Sequence, residues 1–253
     1  MKPLYFLFTL SFFLLFACNK NVNDIPTPEE MTLSNPNNNN NPFDYYGVLH
    51  NKALRITLDE LHKKPTEINF DKCLSVAYES VQQVLFDEGY IATRTSVNWE
   101  EDEEFIALLQ FLIEDMENNY ENFIAALNID SHTKAQLQNL FSELIVMAEN
   151  DAITPDDIFD KVVVFETKVL NNTISIPSNS KEPVLACTST LRHSLSFWND
   201  ELVEIETRSG RKWWKWVVVG LADAVGAISG AATGGAIVQG AVACSAVAYA
   251  VVR

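Results

Sequence analysis

Between Val217 and Val252 the chain runs for 36 residues with one charged side chain, Asp223, and one other strongly polar one, Gln239. As a straight helix that run would be about 54 Å long, against about 30 Å for the hydrocarbon core of a bilayer. It is too long for one upright span. A break at Gly234-Gly235 divides it into 217–233 and 236–252, two arms at the lower limit for spanning; a single tilted span over 224–247 is the alternative. Gly226, Gly230 and Gly234 form GxxxGxxxG, and Ala232, Ala236, Gly240, Cys244 and Ala248 make a second small-residue row at the same spacing. Residues four apart share a helix face, and small ones there let two backbones approach closely. The competing reading is a Gly/Ala-rich hairpin buried inside a water-soluble fold. A run this long and this free of charge favours the membrane.

Charge sharpens the expectation. The net formal charge of −16 excludes a nucleic-acid partner, which calls for a basic footprint. It would also disfavour anionic lipid, but it is an average. Residues 1–42 carry −1, residues 43–206 carry −19 and residues 207–253 carry +4. At the head of the tail stand Arg211, Lys212, Trp213, Trp214, Lys215 and Trp216. Indole rings favour the membrane–water interface, and Lys and Arg favour anionic headgroups. The expected partner is therefore a lipid bilayer, with self-association through Gly226, Gly230, Gly234 and Gly240.

The acidic middle, residues 43–206, reads as one helical domain of about six helices, so the fold class expected is all-α. Phe105, Leu108, Leu109, Leu112, Ile113 and Met116 recur at helical spacing behind an Asn98 cap, and Leu137, Leu140, Phe141, Leu144, Ile145 and Ala148 repeat the pattern. Thr154-Pro155-Asp156-Asp157 combines an N-cap, a first-turn proline and early acids, starting a helix through Ile158, Val162, Phe165 and Val169. The β-branched stretch 162–165 leaves a short strand open there. Leu191, Leu195, Trp198, Leu202 and Ile205 mark another helix, and residues 44–63 and 71–87 two earlier ones.

Chemistry is not visible in this domain. His50, His62, His132 and His193 never reach a metal-site spacing, and the acidic run 100–104 lacks the alternating ligands of a calcium loop. Serines 75, 189 and 194 sit in no nucleophile elbow. No catalytic residue, metal or cofactor is expected, and no enzyme. Cys73 and Cys187 leave two alternatives, a disulfide or two buried thiols.

The N-terminus supplies an address. Lys2 precedes an apolar stretch from Leu4 to Phe16, short for a span but right for a signal sequence. It ends in Leu15-Phe16-Ala17-Cys18, which resembles the lipobox of bacterial lipoproteins. The resemblance implies removal of residues 1–17, acylation of Cys18 and attachment to a membrane of the bacterial cell envelope, with a periplasmic or surface-exposed body. Two or more acyl chains would give a stable anchor. Residues 18–42, with four prolines and an Asn run at 37–41, read as a disordered tether. The tail in turn is similar to the glycine-zipper segments of envelope proteins and to Lys/Trp-led membrane-active peptides of the class II bacteriocin type. Together these imply a lipid-anchored envelope protein with a membrane-inserting, self-associating and pore-forming tail. The alternative is a non-enzymatic tether that binds an unknown envelope protein and uses the tail as a second anchor.

Overall fold

The computed structural model describes residues 31–63, 68–91, 120–122, 124–125, 127, 129–150, 152–205, 213–232 and 237–252. Within them the chain is all-helical, with α1 (Tyr45–Lys63), α2 (Phe70–Asp87), α3 (Ser131–Glu149), α4 (Pro155–Leu170), α5 (Ser178–Ile205), α6 (Trp213–Ala232) and α7 (Ile237–Val252). The helix expected over 98–116 lies outside the described residues.

Local chemistry accounts for the helix starts. Asn69 accepts from the Lys72 amide, Asp130 from the Thr133 amide and Thr154 from the Asp157 amide. At α4 the box is reciprocal: Asp157 returns a hydrogen bond to the Thr154 backbone, and Pro155 occupies the first turn, where no amide donor is needed. The stretch 162–165 is helical, not a strand. Val162 and Val163 are fully enclosed by the rest of the bundle, and tertiary burial overrides their β-branched preference.

The tail forms the middle of the molecule. α6 and α7 pack along each other as a hairpin; α5 and α3 lie against α6, α1 and α2 against α7, and α4 against α5. Of the hairpin side chains whose burial is described, all but Val218 and Gln239 are buried. No helix among the described residues is long and apolar enough to cross a membrane. The membrane span read from the sequence is not found among the described helices, and in the bundle the surrounding amphipathic helices cover the apolar run. Trp216, read in the sequence as a headgroup-facing ring, stacks on Trp198 with centroids 4.5 Å apart and is 9% exposed.

The arms meet at two glycines. A Cβ built on Gly226 would fall 2.3 Å from the Gly240 carbonyl oxygen, and one on Gly240 would fall 2.2 Å from that of Gly226. No side chain fits between these backbones, so the hairpin can close only where both residues lack one.

A second correction concerns residues 18–42. From Met31 onward the segment is part of the body, with Met31 and Leu33 in the core and Asn38 and Asn41 buried. Only residues 18–30 remain for a tether, and they lie outside the described residues, as do Cys18, Arg211, Lys212 and Gly234.

Gly226→Ala should lower stability by about 3 kcal/mol or more, because its methyl meets backbone that cannot move aside. Gly220 offers the control. A Cβ there sits 3.4 Å from Leu191 and Ser194, an ordinary contact, so Gly220→Ala should be neutral or stabilising by up to about 1 kcal/mol through helix propensity. Urea unfolding of both variants checks the contrast.

Candidate functional site

Polar chemistry inside the body gathers at two places. The first is the only charged residue of the hairpin's apolar run. Asp223, on α6, is fully enclosed, and its carboxylate oxygen Oδ2 accepts a 2.5 Å hydrogen bond from Ser194 Oγ on α5. His50 Nε2, on α1, stands 3.5 Å from the same oxygen and 3.2 Å from Ser245 Oγ on α7. Four helices thus converge on one carboxyl group. Burial pushes the Asp223 carboxyl up to about 7, against the pull of Ser194, Ser245 and Trp198. Its Oδ1 and the Trp198 indole N–H stop short of a full hydrogen bond. Burial also pushes His50 down to about 4, with Asn51 opposing and His193 assisting.

These two shifts cancel. Unfolded, a histidine and an aspartate titrate near their ordinary values of 6.5 and 3.8. Between those values the unfolded pair holds one proton, and so does the folded pair between about 4 and 7, whichever atom carries it. Stability depends on pH only through the difference in bound protons. The cluster is therefore nearly silent to pH, despite two strongly displaced groups.

The second place lies where α1 begins. Arg192, fully buried on α5, pairs through Nε with Glu166 Oε2 of α4 at 2.6 Å and through a second nitrogen with Asp44. Asn41 Nδ2 donates to Glu166 Oε1 at 2.5 Å and to the Leu185 carbonyl at 2.9 Å; Asn38 Nδ2 reaches Glu166 Oε1 at 3.2 Å. The Asn38 amide, Ser189 Oγ and His193 Nε2 complete the surroundings of Asp44. Burial works against ionisation of Asp44, but the His193 hydrogen bond and the charges of Arg192 and His193 outweigh it and hold the carboxyl at about 2. This network turns the Asn run into a fixed element.

Asn51, His50 and Ser245 fall in the order of a nucleophilic relay, with His50 Nδ1 2.9 Å from Asn51 Oδ1. Both His50 and Ser245 are completely enclosed, and the Ser245 hydroxyl ties α7 to α1. No group of His, Cys, Asp and Glu among the described residues could hold a metal ion.

The sequence-derived residues distribute as follows. Gly226 and Gly240 meet at the hairpin crossing, and Gly230 lies one turn further along α6. Trp213, Trp214 and Lys215 form the first turn of α6. Cys73 and Cys187 are free, which corrects the disulfide alternative. α2 packs on α1 and α7, whereas Cys187 sits on α5 against α1, α4 and α6. Burial raises both thiols, Cys73 to about 11. Sequence reasoning missed Arg192, Glu166 and Asp44. A signal existed: Glu166 follows Val162 by one turn on the apolar face of α4, and Arg192 interrupts the buried run 184–198. Comparison with known protein families, curated proteins and solved structures finds no match.

Two outcomes follow from the charges. Asp223→Asn leaves His50 alone, so the unfolded state binds more protons between about pH 6.5 and 4, and stability should fall with acid across that window. His50→Gln leaves Asp223 alone with a raised pKa, and stability should fall instead as pH rises from about 4 to 7. Urea midpoints across the window should slope oppositely in the two variants. Separately, Arg192→Met strands the buried Glu166 charge and should cost about 3–5 kcal/mol, part of which Arg192→Met/Glu166→Leu recovers.

Proposed function

We propose that the chain is a lipid-anchored, non-enzymatic protein of the bacterial cell envelope that keeps an apolar glycine-zipper hairpin folded inside an acidic helical body and acts on a bilayer by exposing it. The observation that carries this reading is the position of the hairpin. The most apolar part of the chain is enclosed by helices of the part that carries −19. Large aliphatic side chains would stabilise a permanent core more than Gly and Ala do, and each glycine in a helix interior costs about 1 kcal/mol against Ala. Small residues suit an element that packs closely with copies of itself. Since no described helix is long and apolar enough to cross a membrane, the contact proposed is association of the opened hairpin with the membrane interface, in the manner of amphipathic or self-associated segments.

The anchor rests on the lipobox-like Leu15-Phe16-Ala17-Cys18. A second reading, a partner-binding lipoprotein with the hairpin as permanent core, draws on the Gly226–Gly240 crossing and the Asp223 cluster, which fit the hairpin to its neighbours.

The test uses the chain from residue 18 with Cys18→Ser, mixed with liposomes containing brominated lipid, with and without the opening substitution Arg192→Met. Tryptophan quenching together with release of trapped dye is expected from the opened variant and not from the parent. Opened protein that leaves the dye in place and its tryptophans unquenched would favour the second reading. Fractionation of a Cys18→Ala variant expressed in a bacterium addresses the anchor: most of the protein should leave the membrane fraction.

A further inference from the structure

Beside the first turns of α1 the ordered Asn segment borders an open cleft of about 720 Å³, a volume within the range of ligand sites. Asn35, Asn37, Asn39, Asp44 and Tyr45 line it, together with the amides of Asn38 and Asn41. The last two are committed to Glu166 and to backbone, which fixes the wall from behind. Asn35, Asn37 and Asn39 are exposed. Asn37 Nδ2 donates to Asn35 Oδ1 at 3.2 Å, which leaves the Asn37 carbonyl and the Asn35 NH2 available. Asn39 makes no side-chain hydrogen bond among the described residues.

An amide presents a donor and an acceptor side by side, the complement of adjacent hydroxyl groups on a ring. No Lys or Arg lines the cleft, and the acidic body disfavours anions. Asp44, its one carboxylate, is already paired with Arg192, and no group of His, Cys, Asp and Glu among the described residues could hold a metal ion. At one end Tyr45 packs on Tyr46 and on Tyr90, with centroids 4.2 and 5.7 Å away, and the Tyr90 ring, just beyond the lining, is 53% exposed. Such aromatic faces pack against the C–H face of a sugar. The Asn run would cost conformational entropy to order in isolation, and here the Arg192 network has ordered it in advance, which lowers the cost of binding.

We infer that this cleft binds neutral saccharides, through the amides of Asn35, Asn37 and Asn39 and the Tyr45–Tyr90 face. The inference is independent of whether the hairpin ever leaves the body. The full chain is titrated with maltotetraose, cellotetraose and chitotetraose, and with a sialylated oligosaccharide as the anionic probe, by saturation-transfer NMR and calorimetry. At least one neutral probe should bind with a dissociation constant between about 1 μM and 1 mM. Asn37→Ala/Asn39→Ala and, separately, Tyr90→Ala should each weaken it by about tenfold or more. All three positions are exposed, so the melting temperature should stay at the parent value and certify the fold. Three outcomes overturn the assignment: no saturation transfer from any neutral probe at millimolar concentration, binding unchanged in both variants, or tighter binding of the anionic probe.

Discussion

The close crossing of Gly226 and Gly240 sets the geometry on which the rest of the bundle depends. Because the two backbones touch there, α6 and α7 form a slender rod of small residues against which α1, α2, α3 and α5 pack, with α4 outside on α3 and α5. A rod built from Leu and Phe would be wider, and the ring of helices around it would need more residues to close. The larger side chains therefore come from outside: Phe141, Phe159 and Trp198 supply the bulk that the hairpin lacks. Packing density is preserved by a division of labour between a thin centre and a thick sheath.

That arrangement makes the few polar groups of the interior matter. Asp223 would be costly alone in such surroundings, and the structure meets it with groups from three other helices, Ser194, His50 and Ser245. The bonds specify which helix lies where. The proton balance between His50 and Asp223 also means that the cluster fixes helix positions without tying the fold to one pH. The Arg192–Glu166–Asp44 network serves the same ordering purpose at the other charged site, joining α4, α5 and the entry to α1.

The all-helical class was legible because apolar residues recur at helical spacing, and the α4 start was legible because Thr154, Pro155 and Asp157 act within one turn. The division of the tail into two helices was legible from its length and its Gly-Gly pair. What covers the tail was not. Periodicity and apolarity report that a face must leave water, and lipid and protein satisfy that demand equally. The Asn segment misled for a different reason. Local hydrogen bonds shape the turns of residues 37–41, but the partners that fix them to the bundle through Asn41 and Asp44 lie 125 to 149 positions away. Composition cannot show a contact between segments so distant. Arg192 and Glu166 did leave a trace, each a charge on an otherwise buried face, and reading them as mutual partners would have placed α4 against α5.

Fixing the Asn segment also changes how the body would respond to tension. A pull applied upstream of Met31 does not peel α1 away from its first residue. It enters through Asn38, Asn41 and Asp44 and spreads at once into α4 and α5 by way of Glu166 and Arg192. Those contacts stand between the upstream chain and the first turn of α1. The segment behaves as a rivet between the upstream chain and the middle of the bundle, so that α1 is spared a pull from that side and α4 and α5 share it.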